Sequence, residues 1–86
     1  MRVRVKPYLA FKEALGTEEL EVELPVGSTV RTLLQELAAR GGDALARALD
    51  CPEEVLVLRN RMRAGLDVSL EEGDEVFLSP KLSTLW

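Results

Sequence analysis

From Val3 to Leu78 the spacing of apolar residues changes several times, and each change marks an element. Val3 and Val5 alternate with Arg2, Arg4 and Lys6, the two-residue period of a half-buried strand. Pro7 has no ladder N–H to give and marks the strand's end or an edge position. Tyr8 to Leu15 leads through a loop or short turn to Gly16-Thr17. Leu20, Val22 and Leu24 then alternate with Glu19, Glu21 and Glu23, a second strand. Paired antiparallel, the two set a basic outer face beside an acidic one. Cross-strand pairs of that kind add a few tenths of a kcal/mol each and help to fix register. Both charge runs read first as the solvated faces of a hairpin.

After the turn Pro25-Val26-Gly27 the period lengthens. Val30, Leu33, Leu34, Leu37 and Ala38 follow helical spacing, so the stretch from Gly27-Ser28 to Arg40-Gly41-Gly42 predicts a helix with one buried stripe. Ser28 or Thr29 suits its N-cap, and Gly41 suits the left-handed position past its C-terminus. A helix of about three turns does not hold alone in water, so the stripe needs a surface to lie on. Asp43 is placed to cap a short second helix, Ala44 to Leu49, with Leu45 and Leu49 inward and Pro52 closing it. Val55-Leu56-Val57-Leu58 is a continuous apolar run of strand length, which reads as a more buried strand. Arg59-Asn60-Arg61-Met62-Arg63 reads as a polar turn, and Val68 with Leu70 as a very short strand. Glu72-Gly73-Asp74 turns the chain into a last strand, Glu75 to Leu78, which Pro80 ends.

This order predicts an α+β domain, a mixed sheet of four to five strands with one main helix across one face. Val3, Val5, Leu20, Val22, Leu24, Val57 and Val76 are expected on or near the face that meets Leu33, Leu34 and Leu37. No repeat, linker or low-complexity tract divides residues 1–86, so a single domain is expected.

Composition narrows the chemistry. A chain of 86 residues with 47% hydrophobic and 30% charged content belongs with globular domains of modest core. No apolar run approaches the roughly 20 residues that span a bilayer, so no membrane role is expected. The net charge of −4 argues against nucleic acid as the main partner. With no histidine and one cysteine, neither imidazole acid–base chemistry nor a structural metal site is expected, and no cofactor is implied. Cys51 has no histidine to activate it and reads as an inert thiol, in keeping with a cytoplasmic setting. Arg59, Arg61 and Arg63 alternate through their turn as candidate contacts for an acidic partner, with solvated turn charges as the plainer reading.

Several short pieces stand in a telling order. They are Met1-Arg2-Val3-Arg4-Val5 with Phe11-Lys12-Glu13-Ala14-Leu15-Gly16, then Leu24-Pro25-Val26-Gly27-Ser28-Thr29-Val30 with Leu33, Leu34 and Leu37. Val57-Leu58-Arg59-Asn60 and Leu70-Glu71-Glu72-Gly73-Asp74-Glu75-Val76 follow. In that order the chain resembles the small sulfur carriers of the ubiquitin-like superfamily, the molybdopterin-synthase small subunit and its thiamine-pathway relative. The resemblance implies a β-grasp fold with the first and last strands as parallel central neighbours. It also implies molybdenum cofactor biosynthesis, with an adenylating enzyme or a synthase large subunit as partner. Asp74 and Glu75 resemble a turn of the family with a structural role.

Those carriers finish in Gly-Gly, whose carboxylate is adenylated and converted to a thiocarboxylate. Glycine serves because the tail threads a narrow channel in which a Cβ would clash. Here residues 79–86 form a divergent tail, Ser79-Pro80-Lys81-Leu82-Ser83-Thr84-Leu85-Trp86. Counting on from Gly73-Asp74-Glu75-Val76, the glycine positions fall on Thr84 and Leu85. Gly41-Gly42 is internal and reads as a helix stop. Leu82, Leu85 and Trp86 are large apolar side chains for a tail and are expected to dock, on a protein partner or a second copy. The expectation is therefore a non-enzymatic protein-binding module with no catalytic residues, whose partner meets the exposed sheet face and the apolar tail, using Leu82, Leu85 and Trp86 with Arg59 and Arg61. The alternative is a working sulfur carrier in molybdopterin or thiamine cofactor biosynthesis.

Overall fold

The computed structural model describes residues 1–41, 43–51 and 55–80. In chain order the elements are β1 (Arg2–Pro7), α1 (Ala10–Leu15), β2 (Leu20–Glu23), α2 (Val30–Gly41), α3 (Asp43–Asp50), β3 (Val55–Arg59), β4 (Met62–Arg63) and β5 (Glu75–Pro80). The strands make one sheet in the order β2-β1-β5-β3-β4. β1 and β5 run parallel in its interior, with Val5 beside Val76 and Pro7 beside Leu78. The β1–β2, β3–β5 and β3–β4 pairs are antiparallel. This mixed sheet with its helices on one face is the ubiquitin-like β-grasp.

The alternation in β1 and β2 places Val3, Val5 and Val22 inward, and all three are buried. They join Leu24, Val57, Val76 and Leu78 in a core closed by Val30, Leu33, Leu34 and Leu37 of α2 and Leu45 of α3. Leu20 is partly buried at the margin of the same cluster. The expected face and stripe thus meet as the spacing required. Leu49 lies outside the described side chains.

Local details depart from the sequence reading, each for a physical reason. Residues 10–15 form a helix, too short to show a period, which buries Phe11 in the core and ends at Gly16 in the left-handed conformation. The N-cap of α2 is Thr29, whose Oγ1 accepts the Thr32 N–H at 3.4 Å, while Ser28 Oγ donates back to Pro25 O at 2.7 Å. Gly41 is the last residue of α2 and not the one beyond it, and α3 starts at Asp43 itself. The polar segment after Val55–Arg59 is a hairpin, with Met62–Arg63 forming β4.

Val68 and Leu70 belong to no sheet strand. Thr29 and Ser69 make an isolated bridge, and this segment lies along the start of α2. The Val30 N–H donates to Val68 O at 3.0 Å and the Arg31 N–H to Leu66 O at 2.9 Å. These are first-turn donors with no partner inside the helix, so the segment serves as a backbone cap. β5 runs on to Pro80, past its expected end at Leu78. By then β1 has stopped, so Pro80 has one strand neighbour, Val55, and its missing N–H is tolerated as at an edge.

Candidate functional site

The face of the sheet away from the helices is open, and its side chains follow from register. Directly paired residues project to the same side of a sheet. Lys6 lies beside Phe77, Phe77 beside Leu58, and Leu58 beside Arg63, so these four form one row across four strands. Leu56, beside Ser79, extends the apolar part toward the end of the sheet. Tyr8 joins it there, its ring edge-on to Phe77 with centroids 5.9 Å apart. Lys6 Nζ sits 5.4 Å from the Phe77 centroid and 3.3 Å from Glu75 Oε2. The result is a half-buried apolar patch of Leu56, Leu58, Phe77 and Tyr8 with a cation at each end of its central row.

The acidic and basic stripes of the hairpin pair with one another. Arg4 Nε lies 3.1 Å from Glu19 Oε1, and Arg2 Nε lies 3.5 Å from Glu21 Oε2 and 3.9 Å from Glu23 Oε2. All are well exposed, so each pair is worth at most a few tenths of a kcal/mol. An open pocket of about 230 Å³ borders them, lined by Arg2, Val3, Arg4, Glu21, Glu72 and Gly73.

A polar clamp closes the end of the sheet where β5 begins. Asp74 is buried, and its Oδ2 accepts from Arg59 Nε at 2.6 Å and from the Glu71 N–H at 2.8 Å. Its Oδ1 accepts from Asn60 Nδ2 at 3.0 Å. Asn60 exchanges two more bonds with Glu75: Asn60 Oδ1 takes the Glu75 N–H at 3.0 Å, and the Asn60 N–H reaches Glu75 O at 2.8 Å. Burial pushes the Asp74 pKa up, but the Arg59 bond, the Glu71 N–H, the Asn60 amide and the Arg59 charge together hold it below the ordinary carboxylate value. Asn60 and Arg61 take φ of 50° and 72°, as a two-residue type I′ hairpin requires. Gly73, at φ 82°, supplies the left-handed residue of the turn that presents Asp74.

The hairpin separates the three arginines. Arg59 pairs with Val76 and Met62, so it faces the helix side, where Asp74 engages it. Arg61 sits exposed at the turn, and Arg63 is on the open face. Leu82, Thr84, Leu85 and Trp86 lie outside the described residues. Cys51 is half-buried just after α3, its N–H bonded to Arg47 O at 3.0 Å. Among the described residues no group of three or more His, Cys, Asp or Glu is placed to hold a metal ion. No described helix is long and apolar enough to cross a membrane.

The sequence reading passed over Leu56, Leu58, Phe77 and Tyr8 as contact residues. The signal was weak: a run of four apolar residues reads as buried on both faces, whereas Val55 and Val57 alone are buried.

A family model described as the ThiS family matches residues 9–80. Sequence comparison with curated proteins gives no match. Among solved structures, one similar fold is that of a protein described as molybdopterin converting factor, subunit 1, from Pyrococcus furiosus. The two are 27% identical, the match covers 95% of this chain and 99% of that one, and the TM-score is 0.78. Small archaeal modifier protein 1 from Methanosarcina acetivorans is 26% identical over 95% of this chain and 94% of its own, with a TM-score of 0.78. A chain of the Amycolatopsis orientalis BexX/CysO complex shares the fold at 19% identity, covering 93% of this chain and 96% of that one at a TM-score of 0.76.

Proposed function

The chain belongs to the ThiS family, and from that premise we propose that it is a non-enzymatic ubiquitin-like protein that acts by docking on a protein partner. The open sheet face carries this reading. Leu56, Leu58, Phe77 and Tyr8 form a continuous apolar patch that the fold leaves only half covered. Fully burying such side chains is worth about 1.5–3 kcal/mol each, so a partner that completes their burial has a sizeable driving force. Relatives described as a converting-factor subunit and as part of a two-protein complex lend support.

A second reading, a sulfur carrier in molybdopterin or thiamine cofactor biosynthesis, is favoured by the match over residues 9–80. Thr84-Leu85 at the spacing where carriers place Gly-Gly weighs against it.

One measurement separates the readings, and a second tests docking. Intact-mass spectrometry after incubation with ATP and the family's adenylating enzyme reports an acyl-adenylate, and with sulfide added, which displaces AMP, a thiocarboxylate; either adduct would replace the docking reading with the carrier. Calorimetry with the adenylating enzyme and with the synthase large subunit reports docking. Leu58→Asp and Phe77→Asp are expected to weaken that binding by about tenfold or more, some 1.4 kcal/mol, while circular dichroism shows an intact fold.

A further inference from the structure

The two edges of the sheet are finished differently. β4 is two residues long and offers little to pair with. β2 pairs with β1 in an unbulged register from Leu20 to Glu23, and the ladder runs on to Leu24, which exchanges backbone bonds with Met1 at 2.8 and 2.6 Å. Antiparallel pairs alternate between bonded and non-bonded. Counting from Met1–Leu24, Val22 turns its N–H and C=O to Val3, and those of Glu21 and Glu23 point out of the sheet. They meet no backbone or side-chain partner among the described residues. The Glu19 end of the edge is closed by a side chain: Thr17 Oγ1 accepts the Glu19 N–H at 3.3 Å and donates to Glu19 O at 2.9 Å.

An open edge of this kind is a template for another strand. Charge decides which strand. Glu21 and Glu23 are both exposed and share one cation, Arg2, at 3.5 and 3.9 Å. Glu72, which lines the pocket with Glu21, accepts the Arg2 backbone N–H and has no cationic side chain within ion-pair distance among the described residues. Carboxylates are therefore in surplus beside the edge. A second copy of the chain is a poor occupant, because any antiparallel register that joins the outward groups of two β2 strands sets glutamate against glutamate.

We propose that the β2 edge at Glu21 and Glu23 binds an extended basic segment of another protein, added antiparallel outside β2. The segment's residues opposite Glu21 and Glu23 each exchange two backbone bonds and project onto the open face, where lysine or arginine meets a carboxylate. The residues between them fall on the helix side, alongside Val22 and the partly buried Leu20, where a β-branched apolar side chain fits. This site is distinct from the Leu58–Phe77 patch, which lies on β3 and β5, beyond β1.

The test uses the full chain and a short capped peptide of alternating lysine and valine, followed by amide hydrogen exchange and calorimetry. Saturating peptide is expected to slow exchange of the Glu21 and Glu23 N–H groups by about tenfold or more, while the Val22 N–H, already bonded within the sheet, stays unchanged. The same peptide N-methylated at the lysine backbone nitrogens is expected to bind about tenfold or more weakly. Glu21→Pro removes the outward donor without touching the β1 ladder and is expected to weaken binding to the same extent. Glu21→Gln with Glu23→Gln is expected to weaken it several-fold at low salt, with the deficit shrinking at high salt. Unchanged exchange at Glu21 and Glu23 would overturn the proposal. So would the N-methylated peptide binding within about twofold of the parent, a result that needs no variant to fold and would mean ionic attraction without strand addition.

Discussion

Leu34→Ala is expected to lower the unfolding free energy by about 2–5 kcal/mol, the range for deleting a buried leucine side chain with partial collapse of the cavity. Leu34 is fully buried at the centre of the α2 stripe, between Leu33 and Leu37, which are also fully buried. Alanine is the better helix former, so the substitution carries no local penalty and the loss reports packing alone. At about 0.05–0.15 kcal/mol per residue, 86 residues carry roughly 4–13 kcal/mol of stability in total, so this one change removes a large share. Each kcal/mol lowers Tm by about 4–8 °C at this size. Gln35→Ala, one residue on and exposed, is the control and should stay within about 0.5 kcal/mol. Urea unfolding of the three proteins measures both. A Leu34→Ala loss as small as the control's would mean that α2 does not close the core.

The stripe that makes this prediction possible is written in the sequence, because 3.6-residue spacing survives over three turns. Strands β1 and β2 are legible for the same reason at period two. What the spacing does not carry is anything decided by a turn. Arg59, Arg61 and Arg63 share a period-two spacing that suggests one face. The type I′ turn at Asn60-Arg61 reverses the chain between them and places Arg59 and Arg63 on opposite faces. The apolar residues 55–58 show no alternation, so nothing marks Leu56 and Leu58 as the half-covered pair. Leu9 is a plain leucine in sequence, and its glycine-like backbone emerges only when β1 must turn directly into α1 to bury Phe11. In each case an unpaired patch or a strained residue looks like ordinary core until topology says which side it is on.

Asp74→Asn should cost about 2–3 kcal/mol at neutral pH, the range for losing hydrogen bonds made to a buried charge. The amide keeps the carboxylate's shape but turns one acceptor oxygen into a donor. That donor must then face Asn60 Nδ2 on one side, or Arg59 Nε and the Glu71 N–H on the other. Glu71 does not compensate, since its contact to Arg59 is 3.8 Å long and its side chain is exposed. The sign of the pH dependence follows from Asp74 itself. Its folded pKa lies below the ordinary value of 3.8, so the fold favours the ionised form. That stabilisation is fully present above the unfolded pKa and is lost as pH falls through the lower, folded one. The gap between wild type and Asp74→Asn should therefore be widest at neutral pH and close on acidification below pH 3.8. Urea unfolding of both proteins across that range measures it, and a gap that stayed constant into strong acid would mean the carboxylate is not what the clamp uses. The same clamp fixes the β3–β4 turn through Asn60 and Glu75, and with it the position of Arg63 beside Leu58. Asp74→Asn should accordingly weaken partner binding more than its distance from the apolar patch alone would suggest, and acid should weaken wild-type binding over the same pH range.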